Sequence, residues 1–258
     1  MYEHAKWDRP VLKDYAKTSL KNFYWKAVLA TLIVGLLTGG GLNSGGGSSI
    51  TYNLESGETF YESLPFHDPS ASALVGFVVL VVVLIAMVLA VLYSTFIGNP
   101  LVVGHHRFYM ESRFQPTNLD QLFHGFTGGN YINVVKTMFL RDLYIFLWSL
   151  LFVIPGIVKS YEYRMVPYIL AENPNISSER ALELSREMMN GRKWDLFVFD
   201  LSFFGWNMLA SIIVIGHIFL NPYIHAAETE VYLWLRYDAL HHGYAQPVEL
   251  DGMFIRAQ

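Results

Sequence analysis

Long apolar runs separated by short polar segments dominate the chain and predict helices that cross a membrane. A crossing needs about 20 mostly apolar residues in a helix. Trp25 to Leu42 meets this requirement behind an entry rich in Trp and Tyr, and Ala71 to Ile97 meets it without a charged residue. Two further apolar runs occupy residues 143–158 and 201–224. These four segments are the predicted membrane spans.

Two amphipathic segments follow the last two runs, and a proline stands at the start of each. They occupy residues 156–172 and 222–240. Because proline ends one helix and readily opens the next, we expect turns at Pro155-Gly156 and at Leu220-Asn221-Pro222, after which the chain crosses back. The predicted fold is an all-α polytopic membrane bundle of about six membrane helices with proline-cornered hairpins. The alternative is that the two amphipathic helices lie half-buried at the interface.

The distribution of Lys and Arg predicts which side each loop faces, since short cytoplasmic loops are enriched in these residues. The N-terminal segment is rich in Lys, whereas the loop from Asn43 to Ser70 has no Lys or Arg and several acidic residues. A return crossing after Pro155 also places Arg186 and its basic neighbours inside. We therefore expect a plasma-membrane protein with both termini cytoplasmic.

These features predict a simple domain organisation around one membrane domain. Gly, Ser and polar residues mark the loops, while Ser177 or Ser178 and Gly191 mark the start and stop of one short helix. The segment from Leu101 to Arg113 is too short and too charged to cross, so we expect a cytoplasmic or interfacial extension. The predicted parts are a cytoplasmic amphipathic N-terminal segment (1–22), a multi-pass membrane domain (23–241) with an outer Gly/Ser-rich loop (39–70) and a cytoplasmic helix (177–190), and a cytoplasmic tail (242–258).

Composition supports a membrane protein and removes several classes of function. Only 16% of the 258 residues are charged, against about 25% in soluble domains. The net charge of −4 offers no basic excess for nucleic acid, and the absence of cysteine removes disulfides, thiolate metal sites and Cys nucleophiles. The sequence also lacks the common hydrolase, nucleotide-binding and zinc-protease signatures. We therefore predict no cofactor and no catalytic residues.

Charged residues inside the predicted membrane helices are the candidate functional groups, because such residues usually face a bundle interior or water. The candidate intramembrane polar path consists of Glu162, Arg164, Asp200 and His217. Paired with Arg164 or His217, Asp200 could form a proton or ion relay, and a static internal salt bridge is the alternative. His225 and Glu228 are three residues apart on one helical face, a spacing compatible with two metal ligands. Their alternative role is interhelical hydrogen bonding or contact with the interface.

Four stretches resemble a known family of bacterial membrane proteins. They are LWSLLFVIPGIVKSYEYRM, YILAENPNIS, ALELSREMMNGRKWDLFVFDLSFFGWNML and NPYIHAAETEVYLWLR. Together they resemble the integral membrane proteins of the domain of unknown function 975 family, found mainly in Gram-positive bacteria, from about Leu12 to Leu240. The resemblance implies a multi-pass plasma-membrane protein without an assigned activity or agreed functional residues. The family is distantly similar to the membrane domain attached to some glycerophosphodiester phosphodiesterases, which suggests a lipid-linked role.

Three hypotheses for function follow. The first is a non-enzymatic membrane protein that assists assembly, lipid organisation or envelope stress resistance, with the lipid bilayer and other membrane proteins as partners. The second is a small transporter or channel that uses the candidate polar path. The third is a membrane-embedded metalloenzyme that uses His225 and Glu228.

Overall fold

Helices form almost all of the architecture in the computed structural model, which describes residues 7–38, 69–127, 130–212, 216–250 and 252. Within these residues no strand occurs, in agreement with the predicted all-α class. The α-helices are α1 (Arg9–Leu20), α2 (Tyr24–Leu37), α3 (Pro69–Tyr93), α4 (Asn99–Ser112), α5 (Tyr131–Leu151), α6 (Val153–Glu162), α7 (Val166–Glu172), α8 (Ser178–Met188), α9 (Lys193–Ile212) and α10 (Gly216–His241). A π-helical turn (Ser94–Gly98) joins α3 to α4, and two 3-10 helices cover Leu119–Phe126 and Pro247–Leu250.

Helix α3 presents apolar side chains to its surroundings along nearly its whole described length. From Phe77 to Ile97 the large apolar residues are mostly exposed. A helix rises about 1.5 Å per residue, so this stretch is about 30 Å long and matches the hydrocarbon core of a bilayer. The continuous helical segment Gly76–Ser112 and helix α9 are long and apolar enough to cross a membrane. Helices α1 and α2, bent by 99° at their junction, form a third candidate if counted as one span.

Helices α5 and α6 form an antiparallel hairpin whose corner differs from the predicted one. The chain turns at Phe152, whose backbone is extended (φ −156, ψ 144), and Pro155 lies in the first turn of α6. Proline is accepted there because the first N–H groups of a helix have no intrahelical partner. Gly156 allows the two helices to approach closely at the corner, because a Cβ atom at this position would lie 2.1 Å from Ser149 Oγ.

The predicted return helix over residues 156–172 is divided in two. Helix α6 ends at Glu162 and has 10 residues, which gives a length of about 15 Å, half of a hydrocarbon core. Helix α7 follows after a short break, and all of its residues are buried. The count of six membrane helices stays a prediction, with two or three candidate spans among the described residues.

The second predicted proline corner, at Leu220-Asn221-Pro222, is wrong. Pro222 lies inside α10, which runs without a break from Gly216 to His241, while the preceding helix ends at Ile212. A proline inside a helix removes one backbone hydrogen bond, and packing of the buried neighbouring residues stabilises the helix despite this loss.

Helix α4, which covers the predicted extension over Leu101 to Arg113, lies at the centre of the polar half of the molecule, and its cytoplasmic or interfacial location stays a prediction. Most of its residues are buried, and it packs against α7, α2 and the 3-10 helix Leu119–Phe126. The contact with the 3-10 helix is very close. A Cβ atom on Gly104 would lie 1.9 Å from the Leu122 carbonyl oxygen, and one on Gly125 would lie 2.2 Å from the Pro100 carbonyl oxygen.

Two helices outside the apolar hairpins match the sequence prediction. Helix α8 begins after Ser177, whose side chain accepts a hydrogen bond from the Arg180 N–H at 3.3 Å, and Gly191 follows it with a φ of +72°. Helix α1 is amphipathic and packs on α10. Their cytoplasmic location stays a prediction, and the predicted outer loop (39–70) lies almost wholly outside the described residues.

Candidate functional site

Arg164 occupies the break between α6 and α7 and links the α5–α6 hairpin to α9 and α10. These two helices pack antiparallel, with Ser211 near His217 and Phe203 near Tyr223. We call the two helix pairs the hairpins, and their ends away from Phe152 and Ile212 the open ends. One guanidinium nitrogen donates to Asp200 Oδ2 on α9. The other donates to Asp200 Oδ1 at 3.0 Å and to Glu228 Oε1 on α10 at 2.8 Å. Bidentate pairing of arginine with carboxylate is among the stronger hydrogen-bonded contacts in proteins. The arginine therefore holds α9 and α10 to the end of α6.

The ion pair continues into a line of polar contacts that crosses the bundle. On one side, the Tyr161 hydroxyl donates to Asp200 Oδ2 at 2.8 Å. On the other side, Glu228 Oε2 lies 3.2 Å from Nδ1 of His225. The ring of His225 then meets the ring of His105 at 90°, with centroids 4.7 Å apart. These contacts connect α6, α9, α10 and α4.

The line ends on α2, at a buried threonine. Thr31 Oγ1 lies 3.4 Å from His105 Nε2 and 2.8 Å from the Tyr109 hydroxyl. All three side chains are buried, so the threonine makes a buried polar contact between α2 and α4. We call the whole set, from Tyr161 to Tyr109, the central polar network.

Only part of the predicted polar path belongs to this network. Arg164 and Asp200 are in direct contact, as the sequence suggested for this pair. Glu162 points elsewhere and accepts hydrogen bonds from Lys159 and Lys193, each at 2.7 Å. His217 lies near the start of α10, where its Nε2 is 3.0 Å from Ser211 Oγ. The four residues therefore form three separate groups.

The weak metal candidates, His225 and Glu228, do lie side by side. Each of the two oxygens of Glu228 has a partner, one in His225 and the other in Arg164. In the part of the chain that the structure describes, no group of three or more His, Cys, Asp or Glu residues could hold a metal ion. Glu228 contacts His225 within α10 and Arg164 from the break between α6 and α7, so only the second of these contacts joins two helices, as the alternative role requires.

Buried ion pairs that the sequence analysis did not select lie beside the network. Arg107 Nε donates to Glu111 Oε1 at 2.6 Å, one turn along α4. Glu172 accepts from the Tyr232 hydroxyl at 2.7 Å and from Arg236 Nε at 2.8 Å. The four-residue spacing of the first pair was a detectable signal. The second pairing joins residues about 60 positions apart, for which the sequence carries no local signal.

Arg180 docks the segment that follows α10 onto α8. Its guanidinium donates to Glu249 Oε1 at 2.7 Å and to the Tyr244 carbonyl at 2.6 Å. The hydrogen bond from Arg180 lowers the pKa of Glu249, and the same bond raises the pKa of Arg180. Part of the predicted tail (242–258) is therefore packed against the helices.

This docking is expected to fail in acid. The pKa of an unfolded-state Glu is about 4.3, so a lowered folded-state pKa stabilises the docked segment above that pH, and the stabilisation is lost as pH falls through the folded-state pKa. A spin label on Val248→Cys, an exposed position, should become mobile as the pH falls through the folded-state pKa of Glu249. With Arg180→Gln added, the label should be mobile at neutral pH too. A label that stays immobile in acid would contradict this assignment.

The comparison with protein families supports the resemblance found in the sequence. The family model described as "Protein of unknown function (DUF975)" matches residues 150–238, which include Arg164, Asp200 and Glu228. Neither the curated proteins nor the solved structures gave a match. Residues 150–238 therefore match the DUF975 family model, in agreement with the resemblance seen in this part of the sequence, and the resemblance before residue 150 stays a prediction.

Proposed function

We propose that the chain is a multi-pass integral protein of the plasma membrane, with both termini cytoplasmic and with a non-enzymatic role in membrane assembly or in lipid or envelope organisation. The observation that carries the proposal is the polarity of the hairpins. Each is apolar and exposed at one end, as at Phe152 and Ile212, and charged at its open end. Arg164, Asp200 and Glu228 join these open ends to one another.

Physical chemistry explains why this pattern favours a bilayer. Exposed apolar area of this extent is rare on soluble monomers, where contiguous patches seldom exceed a few hundred Å². Along α3 the exposed residues are almost uniformly Val, Leu, Ile, Met and Phe. In a bilayer the same surface meets lipid chains at no cost, and the charged open ends reach the headgroup region.

Membrane extraction tests the proposal directly. The chain should stay in the membrane pellet after washes with alkaline carbonate or urea, and it should be released by a mild detergent. Release by carbonate alone would contradict integral insertion. The proposed non-enzymatic role has a separate test, which is incubation of the purified protein with a phospholipid or phosphodiester. Turnover of either compound would contradict that role.

Transport through the bundle remains a second candidate, supported by the continuity of the central polar network. The fixed pairing of Arg164 with both carboxylates favours a structural role instead, because each charge already has a partner inside the protein. Ion or proton flux into liposomes decides between the two. Flux that Asp200→Asn does not change would remove the transport candidate.

A further inference from the structure

Glu162 lies at the centre of a group of cations where α6 ends. Its carboxylate accepts from Lys159 and Lys193 at 2.7 Å each, and Arg186 Nε lies 3.3 Å from Oε1. The carboxylate side chain is 6% exposed, whereas that of Arg186 is 58% exposed. We call these four residues the Glu162 cation cluster. Three positive charges thus surround one negative charge, and the surplus faces outward.

This surplus sets the cluster apart from the other ion-pair groups formed by the described residues. Arg107–Glu111 and Arg236–Glu172 are balanced. Arg164 faces two carboxylates, and Arg180 faces three. With histidines neutral, each of those groups is neutral or negative. The Glu162 cation cluster carries a net charge of about +2, which suits an anion with more than one oxygen.

The cluster adjoins the exposed apolar surface of the hairpins. Lys159 Nζ lies 5.4 Å from the ring centroid of Trp148. Trp194, which follows Lys193, is 72% exposed and stacks on Phe197 with centroids 5.2 Å apart. Tryptophan is enriched where a membrane protein meets the headgroups. The cations therefore lie where the apolar face ends and the polar half of the protein begins.

The N-terminal end of helix α9 adds a favourable electrostatic field beside the Glu162 cation cluster. It begins at Lys193 and has 20 residues, so its positive end lies beside the cations. The positive end of a helix dipole attracts anions, and its first N–H groups lack intrahelical partners. An anion held near Lys193 would meet both contributions.

We propose that the Glu162 cation cluster binds the phosphodiester headgroup of an anionic phospholipid, whose acyl chains lie against the apolar face of α6 and α9. The buried carboxylate holds the ammonium and guanidinium groups in place, and their surplus charge pairs with the lipid phosphate. This inference rests on the proposed membrane insertion. It goes further by assigning a site and a class of ligand.

Lipid titration of the full-length protein in detergent tests the site. The probes are dioleoylphosphatidylglycerol, dioleoylphosphatidylcholine and inorganic phosphate, with the midpoint of thermal unfolding and the lipids retained in native mass spectrometry as readouts. Phosphatidylglycerol should raise the midpoint and be retained. Arg186→Gln should weaken its apparent affinity about five-fold, the loss expected for one cation near an anionic lipid.

Three variants serve as controls. Arg186→Lys keeps the charge and should keep most of the affinity. Lys193→Gln should weaken binding as Arg186→Gln does. Lys136→Gln, at an exposed position on α5, removes one positive charge away from the cluster and should leave the affinity unchanged.

The other outcomes each overturn the lipid site. Equal retention of phosphatidylcholine and phosphatidylglycerol would show that the headgroup charge is not recognised. An equal response to inorganic phosphate would indicate a phosphate site in place of a lipid site. Either result could occur in a protein that resists carbonate extraction, so a failure of this inference is distinguishable from a failure of the proposed membrane insertion.

Discussion

Arg164→Gln is expected to destabilise the bundle by about 3 kcal/mol, because it leaves two carboxylates facing each other without their shared cation. Asp200 and Glu228 are 33% and 16% exposed, so water screens them only in part. For a chain of this size the loss corresponds to a fall of about 6–12 °C in the midpoint of thermal unfolding. Differential scanning fluorimetry of the detergent-purified protein measures it.

Two further variants separate the loss of the contacts that Arg164 makes from the loss of one positive charge. Arg141→Gln also removes one arginine, but its contact with Asp142 is longer, at 3.7 Å, and Asp142 is 47% exposed, so a change below about 1 kcal/mol is expected. The triple variant Arg164→Gln, Asp200→Asn, Glu228→Gln removes the charges together and should recover much of the stability. Equal midpoints for Arg164→Gln and Arg141→Gln would contradict the assigned role.

Gly104→Ala is the second substitution with a large expected effect. The new Cβ atom would lie 1.9 Å from the Leu122 carbonyl oxygen and 2.5 Å from its carbon. Because both are backbone atoms, the 3-10 helix Leu119–Phe126 has to move away from α4. Overpacking of this kind costs about 3 kcal/mol. The expected result is a lower thermal midpoint and a smaller monodisperse fraction in size-exclusion chromatography.

Gly205→Ala is the matched control for this prediction. Gly205 lies on α9, and nothing lies within 4 Å of a Cβ atom built there. Replacing a helical glycine by alanine without a clash stabilises by up to about 1 kcal/mol. The two Gly→Ala changes should therefore have opposite signs. A Gly104→Ala protein as stable as the parent would show that α4 and the 3-10 helix are less tightly packed than described.

The sequence predicted those features that depend on local composition. Long apolar runs located α2 and α3, because a membrane span is recognised by its length and hydrophobicity. The runs over residues 143–158 and 201–224 extend past the helix ends at Leu151 and Ile212, so they gave the apolar composition but not the helix bounds. Ser177 and Gly191 located α8, since caps and left-handed glycine act within one turn. A partner for Asp200 was also expected, because an isolated charge in an apolar helix requires one, but the choice between Arg164 and His217 came only from the structure.

Features that depend on contacts between distant segments were not predictable. The pairing of Glu172 with Arg236, and the convergence of His105 with His225, arise only when α4, α7 and α10 pack together. The prediction of a corner at Pro222 failed for a similar reason. Packing against other helices, and not the local sequence, decides whether a helix continues through a proline. The burial of α4 was not predictable from its charged residues, since Arg107 and Glu111 neutralise each other only when the helix is packed inside the bundle.

The central claim is that the charged open ends of the hairpins lie on one side of the membrane, together with the N-terminal segment. Because the chain has no cysteine, single-cysteine variants report accessibility without background labelling. Lys21→Cys on the N-terminal side and Arg186→Cys on α8 are exposed positions, and Ser49→Cys lies in the predicted outer loop. In intact cells an impermeant maleimide should label only Ser49→Cys, and Lys21→Cys and Arg186→Cys should react only after the membrane is permeabilised. Labelling of Lys21→Cys and Arg186→Cys from opposite sides would contradict the claim.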